Sequence, residues 1–394
     1  MDKLEKQFGL KIAILSLSFL LMLRMTISPA LAEIGKAFPA VSQEMLMMMV
    51  VLPSLVAILF GFLSGVLAGF FKVKNILYVA LVLFLIGGVG PVFTKNFTMI
   101  IWFRGLLGVG TGLFLPFTAG LIAAFFRGNE RNQMIGFQSS AVGVGNIITS
   151  LLAGLLAAIA WNLSFLIYGF AFISLVLVVV KIPEPPKVLD EQSKVKGVSV
   201  NRGVMLVCFG ILLYSIVYFA FFGYLSFIID TRNLGDSKAS GLATMLMTLG
   251  ALIMGILFGK LVRFFKRYTL FVALVGNFLG FCLLAWSTTL VHVFIGSTFV
   301  GLGFGLLMPF AMMRLNEASD RSALNFSNAL FMTFINIGTA AAPKILVTIG
   351  EIFNNPDGQF IFAFCAGCLA VAAILILINI WIPNKFFSCV PSNE

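Results

Sequence analysis

The chain has 394 residues, 60% of them hydrophobic and 10% charged, with a mean hydropathy of +1.08 and a formal net charge of +11. A soluble globular chain of this size would need far more polar surface, so the composition excludes one. The positive charge sits between apolar stretches, which argues for membrane topology and against nucleic acid as a partner.

At the N-terminus a basic stretch, an apolar run and Ala30-Leu31-Ala32 imitate a cleavable signal peptide. Arg24 interrupts the run, which is long enough to span a bilayer, so it reads as an uncleaved first helix. Twelve spans are predicted at 10–32, 46–70, 76–94, 98–125, 134–160, 163–182, 203–229, 238–259, 268–287, 290–313, 323–349 and 360–382. Each approaches the roughly 20 residues needed to cross about 30 Å of hydrocarbon.

Placing the N-terminus inside puts Lys3, Lys6, Lys11, Lys72, Lys74, Arg127, Arg131, Lys181, Lys187, Lys194, Lys196, Arg202, Lys260, Arg263, Lys266, Arg267, Arg314, Arg321 and Lys385 on the cytoplasmic side. The outer loops keep Lys36, Lys95, Arg232 and Lys238. That asymmetry of 19 to 4 predicts a multi-pass protein of the cytoplasmic (inner) membrane with both termini cytoplasmic. A polar, basic linker at 183–202, opening Pro183-Glu184-Pro185-Pro186, separates six spans at 1–182 from six at 203–394.

The two halves repeat. Gly108-x-Gly110-x-Gly112-Leu113-x-x-Pro116-Phe117 returns as Gly301-x-Gly303-x-Gly305-Leu306-x-x-Pro309-Phe310, an offset of 193. Glu130-Arg131 matches Asp320-Arg321, and Gly65-x-Leu67-x-Gly69 matches Gly255-x-Leu257-x-Gly259, both at an offset of 190. The predicted fold is therefore an all-α membrane protein of twelve transmembrane helices in two pseudo-symmetric six-helix bundles.

These features resemble the major facilitator superfamily over essentially the whole chain. The family's loop between its second and third helices, G-x-L-A-D-R-x-G-R-K, corresponds to Gly65-Val66-Leu67-Ala68-Gly69-Phe70-Phe71-Lys72-Val73-Lys74. Gly69 and Phe70 stand where the family has aspartate and arginine. Arg104, Gly108 and Gly110 resemble its R-x-x-x-G-x-G motif in the fourth helix. Proton antiporters of the family commonly carry a G-P pair in the fifth helix, where this chain has Gly143-Val144-Gly145-Asn146. The resemblance implies secondary transport by alternating access, with a solute cleft between the halves, and no cofactor beyond possible proton coupling.

Arg24 lies near the middle of the first span, where a cation costs at least about 2.5–3.5 kcal/mol and so belongs at a wet cavity or a partner. Ser28, four residues on, shares its helical face, and Glu33 falls on the opposite one. Two roles fit Arg24: binding an anionic group of the substrate, as in organic-anion members of the family, or structural pairing with helix carbonyls or a neighbouring half. Arg104 carries the same pair of alternatives, proton coupling by resemblance or a hydrogen-bonded contact between helices 1 and 4. Lys344, after Pro343, either faces the cleft or snorkels outward.

No Asp or Glu falls at the centre of a predicted span. Glu33 and Asp230, at outer span ends, are the nearest candidates for proton coupling, with solvated helix ends as the other reading. The loop residues Glu130, Arg131, Asp320 and Arg321 are assigned to coupling or gating through the resemblance. Asn146 and Asn336 are separated by 190 and should face inward, since an unpaired amide in lipid is costly. With Gln138, Asn328, Tyr214 and Tyr218 they either hydrogen-bond a ligand or join helices to one another. The glycines Gly108, Gly110, Gly112, Gly301, Gly303 and Gly305 read as sites of close helix packing, because no Lys-Ser/Thr ending of a phosphate loop follows them.

The five cysteines lie in or beside apolar segments and are expected to be free thiols. Cys365 and Cys368 form an isolated CxxC, with His292 the chain's one histidine, so no metal site is expected. An enzyme would need a nucleophile with a base or a metal cluster, a channel would need charge rings or a carbonyl filter, and a primary pump would need a Walker motif. The reading that remains is a monomeric secondary carrier of a small organic solute in the lipid bilayer. Multidrug efflux by proton antiport is the alternative, and a transporter-like receptor or lipid scramblase is the alternative from another class.

Overall fold

The computed structural model describes residues 2–21, 23–185, 201–320 and 324–381. The chain divides into two compact units, Met1–Lys194 and Val195–Glu394. Both are helical, as a membrane solvent requires, because only helices and closed barrels satisfy every backbone group internally.

The N-terminal unit contains α1 (Asp2–Leu20), α2 (Leu31–Ala37), α3 (Gln43–Phe70), α4 (Val73–Val89), α5 (Phe97–Phe125), α6 (Gly128–Ile159) and α7 (Phe170–Lys181). The C-terminal unit contains α8 (Arg202–Thr231), α9 (Ser237–Phe265), α10 (Thr269–Ala285), α11 (Leu290–Ala318), α12 (Leu324–Ile352) and α13 (Gly358–Trp381). Ser42, Asn96, Asn201 and Asp236 cap α3, α5, α8 and α9 by accepting from backbone N–H groups of the first turn.

Among the described residues, ten segments are long and apolar enough to cross a membrane. One of them, the 49-residue Ser237–Ala285, comprises α9 and α10 joined by a 3-10 turn at Lys266–Tyr268. A shorter apolar helix, Gln7–Leu20, opens the chain. The count is compatible with twelve crossings.

The first span is not the continuous helix expected over 10–32. α1 ends at Leu20 and is followed by 3-10 turns at Leu23–Met25 and Ser28–Ala30 before α2 begins. Pro29 supplies a physical reason, since it lacks an N–H for the helical ladder and disfavours α geometry at the residue before it. Thr26 and Ala30 instead bond three residues back, to Leu23 and Ile27. The helical-face relations drawn from Arg24 to Ser28 and Glu33 therefore do not hold. The span at 163–182 is also irregular, starting as 3-10 turns over Trp161–Gly169 ahead of α7.

In the N-terminal unit α5 packs against α3 and α4, and in the C-terminal unit α11 packs against α9 and α10. The repeated glycines make both contacts. A Cβ on Gly108 would lie 2.8 Å from the Pro53 carbonyl of α3, and one on Gly112 would lie 2.7 Å from the Ala57 carbonyl. Gly110 faces the other way, against Ala80 and Phe84 of α4. The second unit repeats the arrangement, with Gly301 and Gly305 against Met247 and Ala251 of α9 and Gly303 against Asn277 of α10. Alternate glycines thus open two sides of one helix, which lets three backbones approach without side chains between them.

Candidate substrate site

The N-terminal unit gathers polar groups where its first span unwinds. The Arg24 backbone lies in the 3-10 turn Leu23–Met25, and its side chain lies outside the described residues. On the same unwound stretch Thr26 and Ser28 are buried, 4% and 2% exposed. The Thr26 hydroxyl is 3.2 Å from that of Thr149 on α6, which itself donates to the Gly145 carbonyl at 2.7 Å. Gly145 allows this approach, because a Cβ there would come within 2.9 Å of the Phe19 ring on α1. Half-buried Asn146 precedes Thr149 by one turn of α6 and so shares its side of the helix. The turns that carry Arg24 and Ser28 in the backbone thus pack against α6, the helix of Asn146, and the structure adds the buried pair Thr26 and Thr149 to the candidates.

Arg104 is fully buried inside the N-terminal unit. Its Nε donates to the Met49 carbonyl of α3 at 2.8 Å and one terminal nitrogen donates to the Tyr168 hydroxyl at 2.6 Å. Tyr168 belongs to the 3-10 segment before α7, so the guanidinium joins three separate elements. Glu130, at the start of α6, pairs with Lys11 of α1 at 2.7 Å, while Arg131 is exposed. Glu33 pairs with Lys36 on α2 at 3.2 Å. Gln138 is half-buried on α6.

In the C-terminal unit Tyr214 of α8 is buried and donates to the side-chain oxygen of Asn277 at 3.1 Å. Asn277 is fully buried on α10 and donates to the Ala273 carbonyl at 3.0 Å, so both ends of its amide are engaged. Half-buried Tyr218 lies between two parallel rings, Tyr214 at 5.7 Å and Phe304 of α11 at 4.3 Å between centroids. Its hydroxyl is 3.6 Å from the Met247 sulfur of α9. The sequence singled out both tyrosines but missed Asn277 and Phe304. Asn277 carried a usable signal, an amide inside the 268–287 span, by the same reasoning applied to Asn146.

The remaining candidates are dispersed. On α12, Asn336 donates to its own helix at the Met332 carbonyl, Asn328 has a buried side-chain oxygen that meets no hydrogen-bond donor among the described residues, and Lys344 is exposed. Asp230 is half-buried near the end of α8 and Asp320 is exposed after α11, while Arg321 lies outside the described residues. Among the described residues no cluster of His, Cys, Asp and Glu could hold a metal ion. Cys208, Cys282, Cys365 and Cys368 are free thiols, and Cys389 lies outside the described residues.

The fold and these sites define a polytopic helical protein of two repeated units, with polar side chains held inside apolar helices. The sequence profile of the Major Facilitator Superfamily matches residues 13–236 and 207–386, and the chain belongs to that family of transporters, which are not enzymes. It is similar to the bacillibactin exporter of Bacillus subtilis, 24% identical over 349 residues that cover 83% of this chain and 85% of the relative. It is also similar to the quinolone resistance protein NorA of Staphylococcus aureus, 23% identical over 330 residues covering 79% and 82%. The crystal structure of a D-xylose-proton symporter superposes with a TM-score of 0.69 at 18% identity, covering 94% of this chain and 97% of the other, which shows the shared fold.

Proposed function

We propose that this transporter is a secondary carrier of a small organic solute, that it works by alternating access, and that it takes an anionic or zwitterionic group of the solute at Arg24. The observation that carries this reading is the unwinding of the first span around Arg24, the basic residue near its middle. Unwound backbone at membrane depth is tolerated where it is buried in protein or lines a wet cavity, and interrupted helices are where secondary transporters build their sites. Asn146, Thr26 and Ser28 would supply neutral hydrogen bonds beside the charge. The positive-inside asymmetry supports insertion in the cytoplasmic membrane with both termini inside. Glu33 and Asp230 are the carboxylates through which protons would be coupled, if the cycle uses them.

Export of amphipathic compounds is the second reading. The stacked rings of Tyr214, Tyr218 and Phe304 beside Met247 favour it, as such surfaces accept flat apolar groups. One relative is named an exporter and another a quinolone resistance protein, which supports export as the direction of transport.

Thermal stabilisation of the detergent-solubilised protein by a panel of organic anions, cations and neutral amphiphiles separates the two. A ligand that binds the native state raises its stability as RT ln(1 + [L]/Kd). Saturable stabilisation by organic anions that is lost in Arg24→Ala is the expected result. Stabilisation by lipophilic cations that survives Arg24→Ala but falls in Tyr218→Ala would replace the first reading with the second.

A further inference from the structure

α4 starts without a cap of its own. Its N-cap position is Lys72, which offers no side-chain acceptor to the free N–H groups of the first turn. The acceptor arrives from more than a hundred residues away. Glu184 lies just past α7, and one carboxylate oxygen accepts from the Val73 N–H at 2.8 Å while the other accepts from the Lys74 N–H at 3.3 Å. An anion at a helix N-terminus is favoured by both the free donors and the helix dipole.

The contact is reciprocal. Lys74 extends its ammonium back to the Val179 carbonyl in the last turn of α7 at 3.0 Å, placing a cation at a helix C-terminus where the dipole favours it. Each helix end is thus capped by a charged side chain from the other's side. Glu184 stands between Pro183 and Pro185, whose rings fix their own backbone angles and restrict the residue before each. The carboxylate is therefore presented by a stiff segment.

The chain is still bonded to α4 at Glu184, three residues past the end of α7. We propose that Glu184 is a positioning residue that fastens the chain just past α7 onto the N-terminus of α4, so that the start of α4 and the end of α7 are held as one assembly. These contacts join the chain's own helix ends and do not depend on the solute carried.

Hydrogen exchange of the full-length protein in detergent tests it. Glu184→Ala is expected to speed exchange of the amides of residues 73–76 by about tenfold, the order expected for losing a charge-assisted hydrogen bond. Lys74→Met should loosen the α7 end at Lys181 and Ile182, and the two substitutions together should exceed neither helix end's single loss by more than a few-fold, since both break one assembly. Glu184→Gln, which keeps an acceptor without the charge, serves if the alanine variant folds poorly, and should give an intermediate change at residues 73–76. Unchanged exchange at the start of α4 in either Glu184 variant would overturn the proposal. So would a rise spread evenly over the other helices of the unit, which would mean a general loss of stability and not a local fastening.

Discussion

Arg104 and Tyr168 meet at 2.6 Å inside the N-terminal unit, a hydrogen bond between a charged donor on α5 and a phenol contributed by a 3-10 segment 64 residues later. With the Met49 carbonyl on the Nε, the guanidinium is held by neutral acceptors from two directions. A bond from a charged group is worth about 1.5–3 kcal/mol, and its loss is felt most where water cannot replace it. Tyr168→Phe should therefore lower unfolding stability by about that amount, read from thermal or denaturant transitions in detergent. Arg104→Lys should not restore the arrangement, because an ammonium cannot reproduce the planar, forked donors. A wild-type-like transition in Tyr168→Phe would show that the bond contributes little.

The repeated glycines give a sharper contrast. Gly108, Gly112, Gly301 and Gly305 each have backbone of a neighbouring helix where a Cβ would be, whereas Gly65, Gly69, Gly255 and Gly259 have nothing within 4 Å. Backbone cannot rotate away as a side chain can. Alanine at any of the first four should cut the yield of folded protein and lower stability by more than 2 kcal/mol, within the range known for overpacked cores. Alanine at any of the second four should be neutral or stabilise by up to about 1 kcal/mol, because alanine is the better helix former. Size-exclusion profiles and melting temperatures of the eight variants would check both arms. Equal losses in the two sets would mean that the contacts do not control packing.

These glycines also show what the sequence made legible. Their spacing repeats at a fixed offset, and the physical demand behind it, close approach of backbones on two sides of a helix, is local enough to leave a pattern. The unwound first span left a weaker trace. Hydropathy averages over a window and reads Leu21 to Ile27 as apolar, although Pro29 signals that α geometry should fail just before it. Tyr168 and Glu184 left none, because each acts on a partner far away in the chain. Nothing in the residues around Glu184 marks it as the cap of a helix that began 111 residues earlier.

Thr26 and Thr149 provide a measured test of the unwound segment. Their hydroxyls are 3.2 Å apart and both are buried, yet Thr149 also bonds within its own helix. A shared hydroxyl pair between membrane helices averages about 0.6 kcal/mol in double-mutant cycles, with a ceiling near 1.7. The cycle of Thr26→Val and Thr149→Val should return a coupling energy in that range. Additive losses would mean that the two hydroxyls are neighbours without a bond, and would remove one support for the polar neighbourhood assigned around Arg24.

Glu130 and Lys11 pose the opposite case, a pair that is close but wet. Their side chains are 42% and 32% exposed, so the 2.7 Å contact is screened by solvent and salt. Pairs of this kind contribute from nothing to about 1 kcal/mol, and at 1 M salt the Debye length falls to about 3 Å. Glu130→Gln should therefore move the melting temperature little at low salt and not at all at high salt. If Glu130 serves gating, the substitution should nevertheless change the rate of counterflow in proteoliposomes, using whichever solute the stabilisation screen identifies, while leaving that solute's saturable stabilisation intact. A lost rate with unchanged stability and binding would separate control of a conformational step from support of the fold. An unchanged rate would return Glu130 to an ordinary surface pair between α1 and α6.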